Sequence, residues 1–187
     1  EAPHEYQSRN YYDMCAKFFE DISTIPHLHH LKMTPLYLDI SDQKLNPIWQ
    51  KMKDTNIVDL SITFKYSSHS FSEIRSFQDG LLGLSNLEKL AINFTNCMIT
   101  LTKDKFFNLI EAISKLKTLK SLSLNFEGCK TLTKNPQLPV FGSPLKQGHT
   151  LPDFNTLLRT LVPDILQELK GLSKLSELYI QPLIFVP

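Results

Sequence analysis

Apolar positions along this chain follow two periods in turn. The block Leu90-Ala91-Ile92-Asn93-Phe94 alternates with period two. It runs into Phe106, Phe107, Ile110, Ile113 and Leu116, which recur at helical spacing. The first block then returns as Leu122-Ser123-Leu124-Asn125-Phe126, 32 residues on. Period two puts alternate side chains on one face of a strand, whereas i, i+3, i+4 spacing lines one stripe of a helix. Each block has a leucine three positions ahead, Leu87 and Leu119, and a cysteine seven positions on, Cys97 and Cys129. Self-similarity at this period predicts a repeat architecture.

The same template predicts three more strands. They are Leu36-Tyr37-Leu38-Asp39-Ile40, Leu60-Ser61-Ile62-Thr63-Phe64 and Leu178-Tyr179-Ile180-Gln181-Pro182, led by Met33, Ile57 and Leu175. The intervals between first leucines are 24, 30, 32 and 56. The last is one repeat carrying an insertion, since no further L-x-L block lies between. Residues 128–152 hold Pro136, Pro139, Pro144 and Pro152 with Gly128, Gly142 and Gly148, so this stretch reads as the insertion loop.

Helices fill the intervals. One over 11–22 buries Met14, Cys15, Phe18, Phe19 and Ile22. A second, over 46–53, takes Pro47 in its first turn and packs Ile48, Trp49 and Met52. A third, over 72–82, packs Ile74, Phe77, Leu81 and Leu82, with Gly83 as its C-terminal cap. A fourth covers 103–117, with Lys115 and Lys117 at its negative end. The last runs over 153–170, and Pro163 is expected to kink or split it. His27, His29 and His30 read as a loop. The chain thus divides into a lead-in and capping helix, 1–32, and a repeat region, 33–187.

Composition narrows the function. A net charge of +1 over 187 residues argues against nucleic acid as the main partner. No run of about 18 apolar residues predicts a membrane span. The polar start EAPHEYQSRN is not a signal peptide, and the missing initiator Met points to processing or to a longer protein. Three widely spaced cysteines, Cys15, Cys97 and Cys129, suit a reducing compartment better than a disulfide framework or a zinc site. The sequon Asn93-Phe94-Thr95 falls in a strand and reads as coincidence. No phosphate-loop, dinucleotide, zinc-protease or serine-hydrolase motif occurs, so no catalytic residue, cofactor or metal is expected. Glu20 and Asp21 read as a solvated charged face.

With five blocks aligned, the pattern resembles the leucine-rich repeat, L-x-x-L-x-L-x-x-N/C-x-L, in the ribonuclease-inhibitor-like type with a long helix per repeat. The resemblance covers about residues 33–182. On the longer strand spelling, LxxLxLxLxxNxI, Cys97 and Ile99 fit, and Cys129 fits while Thr131 departs. Ser67 and Gln43 hold the same ladder position in the earlier repeats. The resemblance implies an α/β fold, a right-handed solenoid or short horseshoe. Its parallel sheet lies on the concave side and its helices on the convex side.

It also implies a non-catalytic protein-binding module. The setting would be a cytoplasmic scaffold or a subunit of a larger assembly, with the cytoskeleton or a cilium among the settings. The alternative is a regulator of an enzyme, such as a GTPase-activating protein or a ubiquitin-ligase adaptor. An enzyme using 128–152 as a lid is a third reading. The expected partner-binding residues on the concave face are Tyr37, Asp39, Ser61, Thr63, Ala91, Asn93, Ser123, Asn125, Tyr179 and Gln181. A second contact is expected at the C-terminal edge, through Leu183, Ile184, Phe185 and Val186. These apolar side chains call for cover by a neighbouring subunit or by further chain.

Overall fold

The computed structural model describes residues 14, 17–18, 20–22, 24–36, 46–64, 68–70, 75–100, 103–131 and 154–181. The strands are β1 (His30–Leu36), β2 (Asp59–Phe64), β3 (Ser68–Ser70), β4 (Lys89–Asn93), β5 (Met98–Thr100), β6 (Ser121–Asn125), β7 (Lys130–Thr131) and β8 (Glu177–Gln181). The helices are α1 (Asn46–Met52), α2 (Arg75–Gly83), α3 (Lys103–Ser114) and α4 (Phe154–Leu169). Five strands form an all-parallel sheet in the order β1-β2-β4-β6-β8, and three short ones form a second sheet, β3-β5-β7. The fold class is α/β.

The repeat is written into the register. Leu60 pairs with Leu90, Leu90 with Leu122 and Leu122 with Leu178. Four backbone carbonyls each accept two N–H groups from the next strand's entry. His29 O takes Val58 and Asp59, Val58 O takes Glu88 and Lys89, Glu88 O takes Lys120 and Ser121, and Lys120 O takes Ser176 and Glu177. β6 pairs directly with β8, so no further described strand of this sheet lies within the 56-residue interval. One face of the sheet is closed: Leu60, Ile62, Leu90, Ile92, Leu122 and Leu124 are buried. At the strand ends Phe64, Phe94 and Phe126 stack with ring centroids 5.3 and 5.4 Å apart and planes within 9°.

The first strand differs from the expected one. Leu31, not Leu36, aligns with Leu60, and Met33 aligns with Ile62. The two bonds to His29 O set this register, and the pairing slips by one residue between Met33 and Leu36, around Pro35. Proline has no N–H to give the ladder, so an irregularity there is expected. His30 therefore opens a strand instead of lying in a loop. The block 37–40 falls outside the described residues, as do Cys15, Phe19, Gln43, Ser67, Ile74, the stretch 132–153 and Leu183–Val186.

Other expectations change as well. Met14 and Phe18 are exposed, and only Ile22 of the described stripe is buried. Leu82 is 40 % exposed because α2 and α3 leave a groove between them. Pro163 does not split α4, which stays one helix. Pro163 and Arg159, whose carbonyl loses its i+4 donor to the proline, are both exposed residues. Lys130–Thr131, at the start of the expected insertion loop, pairs in register with β5 as β7.

Gly83 does not take the left-handed conformation of a C-terminal cap. Its reason is contact. A Cβ there would lie 2.0 Å from Lys53 Cβ, and one at Gly80 would lie 2.5 Å from Trp49 O. These two glycines, one turn apart, let α2 lie against α1 and its end. Trp49 is core as expected, with its ring edge-on to Phe77 at 4.8 Å.

Candidate functional site

The open face of the sheet is set by the strand alternation. In β2, β4 and β6 the positions between buried ones are half-covered: Ser61, Thr63, Ala91, Asn93, Ser123 and Asn125. Across them the register lines up Lys32, Ser61, Ala91, Ser123 and Tyr179 in one row. Thr63, Asn93, Asn125 and Gln181 form the next. The structure thus brings together all the expected face residues except Tyr37 and Asp39, which lie outside the described residues. Tyr179 is 57 % exposed on the edge strand. Small side chains on the middle strands leave a low floor, with Lys32 rising at one edge and Tyr179 at the other.

Two of these residues also have an internal task. Asn93 Oδ1 accepts the N–H of Thr95 at 2.8 Å and its hydroxyl as well. Asn125 Oδ1 accepts the N–H of Glu127 at 2.8 Å. Each Asn thereby closes the turn that leaves its strand. The turn then passes through the left-handed region, at Asn96 (φ 58°) and at the equivalent Gly128 (φ 68°). Asn tolerates that region and Gly enters it freely. The sequence Asn-Phe-x-(Asn/Gly)-Cys is therefore one structural unit used twice. Sequence reasoning placed these asparagines on the binding face and missed the turn. The signal was there, in the pair Asn96 and Gly128 at the same offset.

At Gly128 a Cβ would also meet Asn96 Oδ1 at 2.2 Å. Gly128→Ala is expected to lower stability by about 1–2 kcal/mol. The check is a urea titration beside Asn96→Gly and the double variant. An alanine that leaves the midpoint unchanged would contradict the strained-turn reading.

The cysteines close the same turns. Cys97 is fully buried, and its Sγ lies 3.8 Å from Thr95 O. Cys129 Sγ donates to Phe94 O, in the preceding repeat, at 2.9 Å. Burial pushes the Cys129 thiol up to about 12, outweighing the bond from the Cys97 backbone. A protonated thiol is a poor nucleophile, so Cys129 is structural. Folding favours the protonated thiol. That contribution is complete below about pH 9 and is lost as pH rises towards 12.

Charges near the strand entries pair between neighbours. His30 Nδ1 lies 3.4 Å from Asp59 Oδ2, and Lys120 Nζ lies 2.7 Å from Glu88 Oε1. Glu20 and Asp21 are solvated as expected, with Lys17 beside both. On the helix side, the groove between α2 and α3 encloses about 300 Å³. Its lining sets Arg75 and Lys115 against Asp79 and Glu111, so it favours neither sign of ligand. Among the described residues no three His, Cys, Asp or Glu side chains gather to hold a metal. No described helix is long and apolar enough to cross a membrane.

The chain matches no family model, no curated protein and no solved structure.

Proposed function

We propose that this chain is a leucine-rich-repeat solenoid of the ribonuclease-inhibitor-like type, and that it binds protein through the open face of its parallel sheet. The observation that carries the reading is the shared register of Leu60, Leu90, Leu122 and Leu178, with the Phe64–Phe94–Phe126 stack at the end of the same strands. Cys97 and Cys129 support it from the ladder positions, each bonding to a backbone carbonyl. A unit with one apolar stripe and one half-covered strand cannot bury its core alone, so repeats stack and leave one long surface free. That surface carries small polar side chains and an exposed tyrosine. Tyrosine supplies contact area with a polar tip, a composition suited to protein partners. A scaffold role in the cytoplasm, on the cytoskeleton or in a cilium fits this reading, with Cys97 and Cys129 not joined in a disulfide.

Ala91 sits mid-face on β4, half-buried, with no role in the core. Ala91→Arg is expected to abolish stoichiometric capture of protein partners from native lysate while leaving the circular dichroism spectrum and melting temperature unchanged. Capture of the same partners at the same yield by A91R would remove the sheet face as the binding surface.

A further inference from the structure

The exposed large apolar side chains are not spread evenly over the described residues. Met14, Phe18 and Ile25 lie at the β1 end of the molecule; Leu166 and Tyr179 lie at the β8 end; Leu82 alone lies between them. The covered row of the sheet follows the same trend. Leu60, Leu90 and Leu122 are at most 1 % exposed, Leu31 is 8 % exposed, and Leu178 and Leu175 are only partly buried. Among the described residues each interior strand has a neighbour on both sides, and each edge strand has one on a single side. An edge that keeps its alternation and register is a template for another strand.

The two edges fit one another. On β8 the sequence Glu177-Leu178-Tyr179-Ile180 occupies the register held at β1 by His30-Leu31-Lys32-Met33. A second copy continuing the parallel sheet beyond β8 would set its His30 beside Glu177 and its Lys32 beside Tyr179. It would also set Leu31 and Met33 beside Leu178 and Ile180. Apolar residues then meet apolar ones on the covered face. On the open face a carboxylate meets a histidine, with a lysine nearby. The interior of the sheet already pairs neighbouring strands this way, through His30 with Asp59 and Lys120 with Glu88. Among the described residues neither Glu177 nor Lys32 has an ion-pair partner. We propose that copies of this chain associate head to tail, the β8 edge of one against the β1 edge of the next. This contact is heterologous, so it propagates or closes into a ring and does not stop at a symmetric dimer.

The test uses two exposed charges that leave the core untouched. By sedimentation across a concentration series, the wild-type chain is expected to rise above its monomer mass of 21.5 kDa. Glu177→Lys sets a lysine beside the His30 and diagonal to the Lys32 of the next copy, and Lys32→Glu sets a glutamate diagonal to Glu177. Each alone is expected to associate roughly tenfold more weakly, the scale of replacing an attractive exposed pair by a repulsive one. Mixed in equal amounts, the two variants restore opposite charge at every alternate junction and keep the native pair at the others. Association returns to the wild-type level. A wild-type chain that stays monomeric overturns the proposal. So does association indifferent to both single variants, or a mixture no stronger than either one. The association test reads the purified chain alone and the Ala91→Arg test reads capture of other proteins, so the two readings fail separately.

Discussion

Replacing Phe94 by alanine is expected to cost about 3–5 kcal/mol of folding stability. The ring lies between those of Phe64 and Phe126, at 5.3 and 5.4 Å, and none of the three is exposed. Removing it leaves a cavity bounded by two aromatic faces, and each loses a stacking partner worth about 0.5–1.5 kcal/mol. The flanking strands cannot close the gap. Their separation is fixed by the β2–β4 and β4–β6 ladders. Phe126→Ala removes the same Phe94–Phe126 contact from its other side and is expected to cost a comparable amount. Phe94→Leu keeps most of the volume and is expected to lose about 1–1.5 kcal/mol. A small domain is stable by about 5–15 kcal/mol, so the alanine variant approaches the unfolding threshold. Urea midpoints for the three variants provide the measurement. An alanine at 94 that costs under about 1 kcal/mol, or no more than leucine there, would show that the stack contributes nothing beyond ordinary burial.

The same residues show why part of the fold could be read from the sequence. Leu60, Leu90, Leu122 and Leu178 were legible because three signals agree there: a leucine or isoleucine at minus three, period-two alternation, and a helix between successive blocks. At the first strand these signals conflict. Leu36-Tyr-Leu-Asp-Ile alternates more cleanly than Leu31-Lys-Met-Thr-Pro, yet the chain pairs through Leu31. A second series, Ile22, Ile25, Leu28 and Leu31, has the spacing of Leu81, Leu84, Leu87 and Leu90. In both, N–H groups three residues on bond back along the link: Ile25 to Ile22 O and Leu28 to Ile25 O, Leu84 to Leu81 O and Leu87 to Leu84 O. Counting that longer spacing, not the alternation alone, locates the strand.

What the sequence could not display is which apolar stripes find a covering layer. Met14 and Phe18 have the spacing of a buried stripe, but burial depends on a neighbour beyond their helix. Leu82 has the same spacing as Leu81's other companions, but it faces the groove where α2 and α3 diverge. The candidate site was legible as a face, because alternation assigns every second residue to it. The turn-closing role of Asn93 and Asn125 does not show in that alternation; its only trace is Asn96 and Gly128, each three residues on at the same offset.

Gly80 offers a prediction in which two physical rules have opposite signs. Helix propensity alone says that Gly80→Ala within α2 should stabilise by about 1 kcal/mol. The packing says otherwise. A Cβ at position 80 meets Trp49 O at 2.5 Å, a backbone atom that cannot rotate away. Relief requires α1 to move, and α1 carries Trp49 and Met52, both buried in the core. Gly80→Ala is therefore expected to destabilise by about 1–3 kcal/mol, and Gly80→Val by more. Gly83→Ala meets Lys53 Cβ at 2.0 Å and pushes on the chain just after the same helix. One displacement relieves both clashes, so the double alanine variant should cost less than the two singles together. Asp79→Ala, exposed on the same helix, is the control and should stay within about 0.5 kcal/mol of wild type. Trp49 is the only tryptophan, so its fluorescence reports the displacement directly. A red shift should accompany lower stability in the glycine variants and be absent from the control. A Gly80→Ala variant that gains stability with an unchanged emission spectrum would mean that α1 and α2 do not lie in contact.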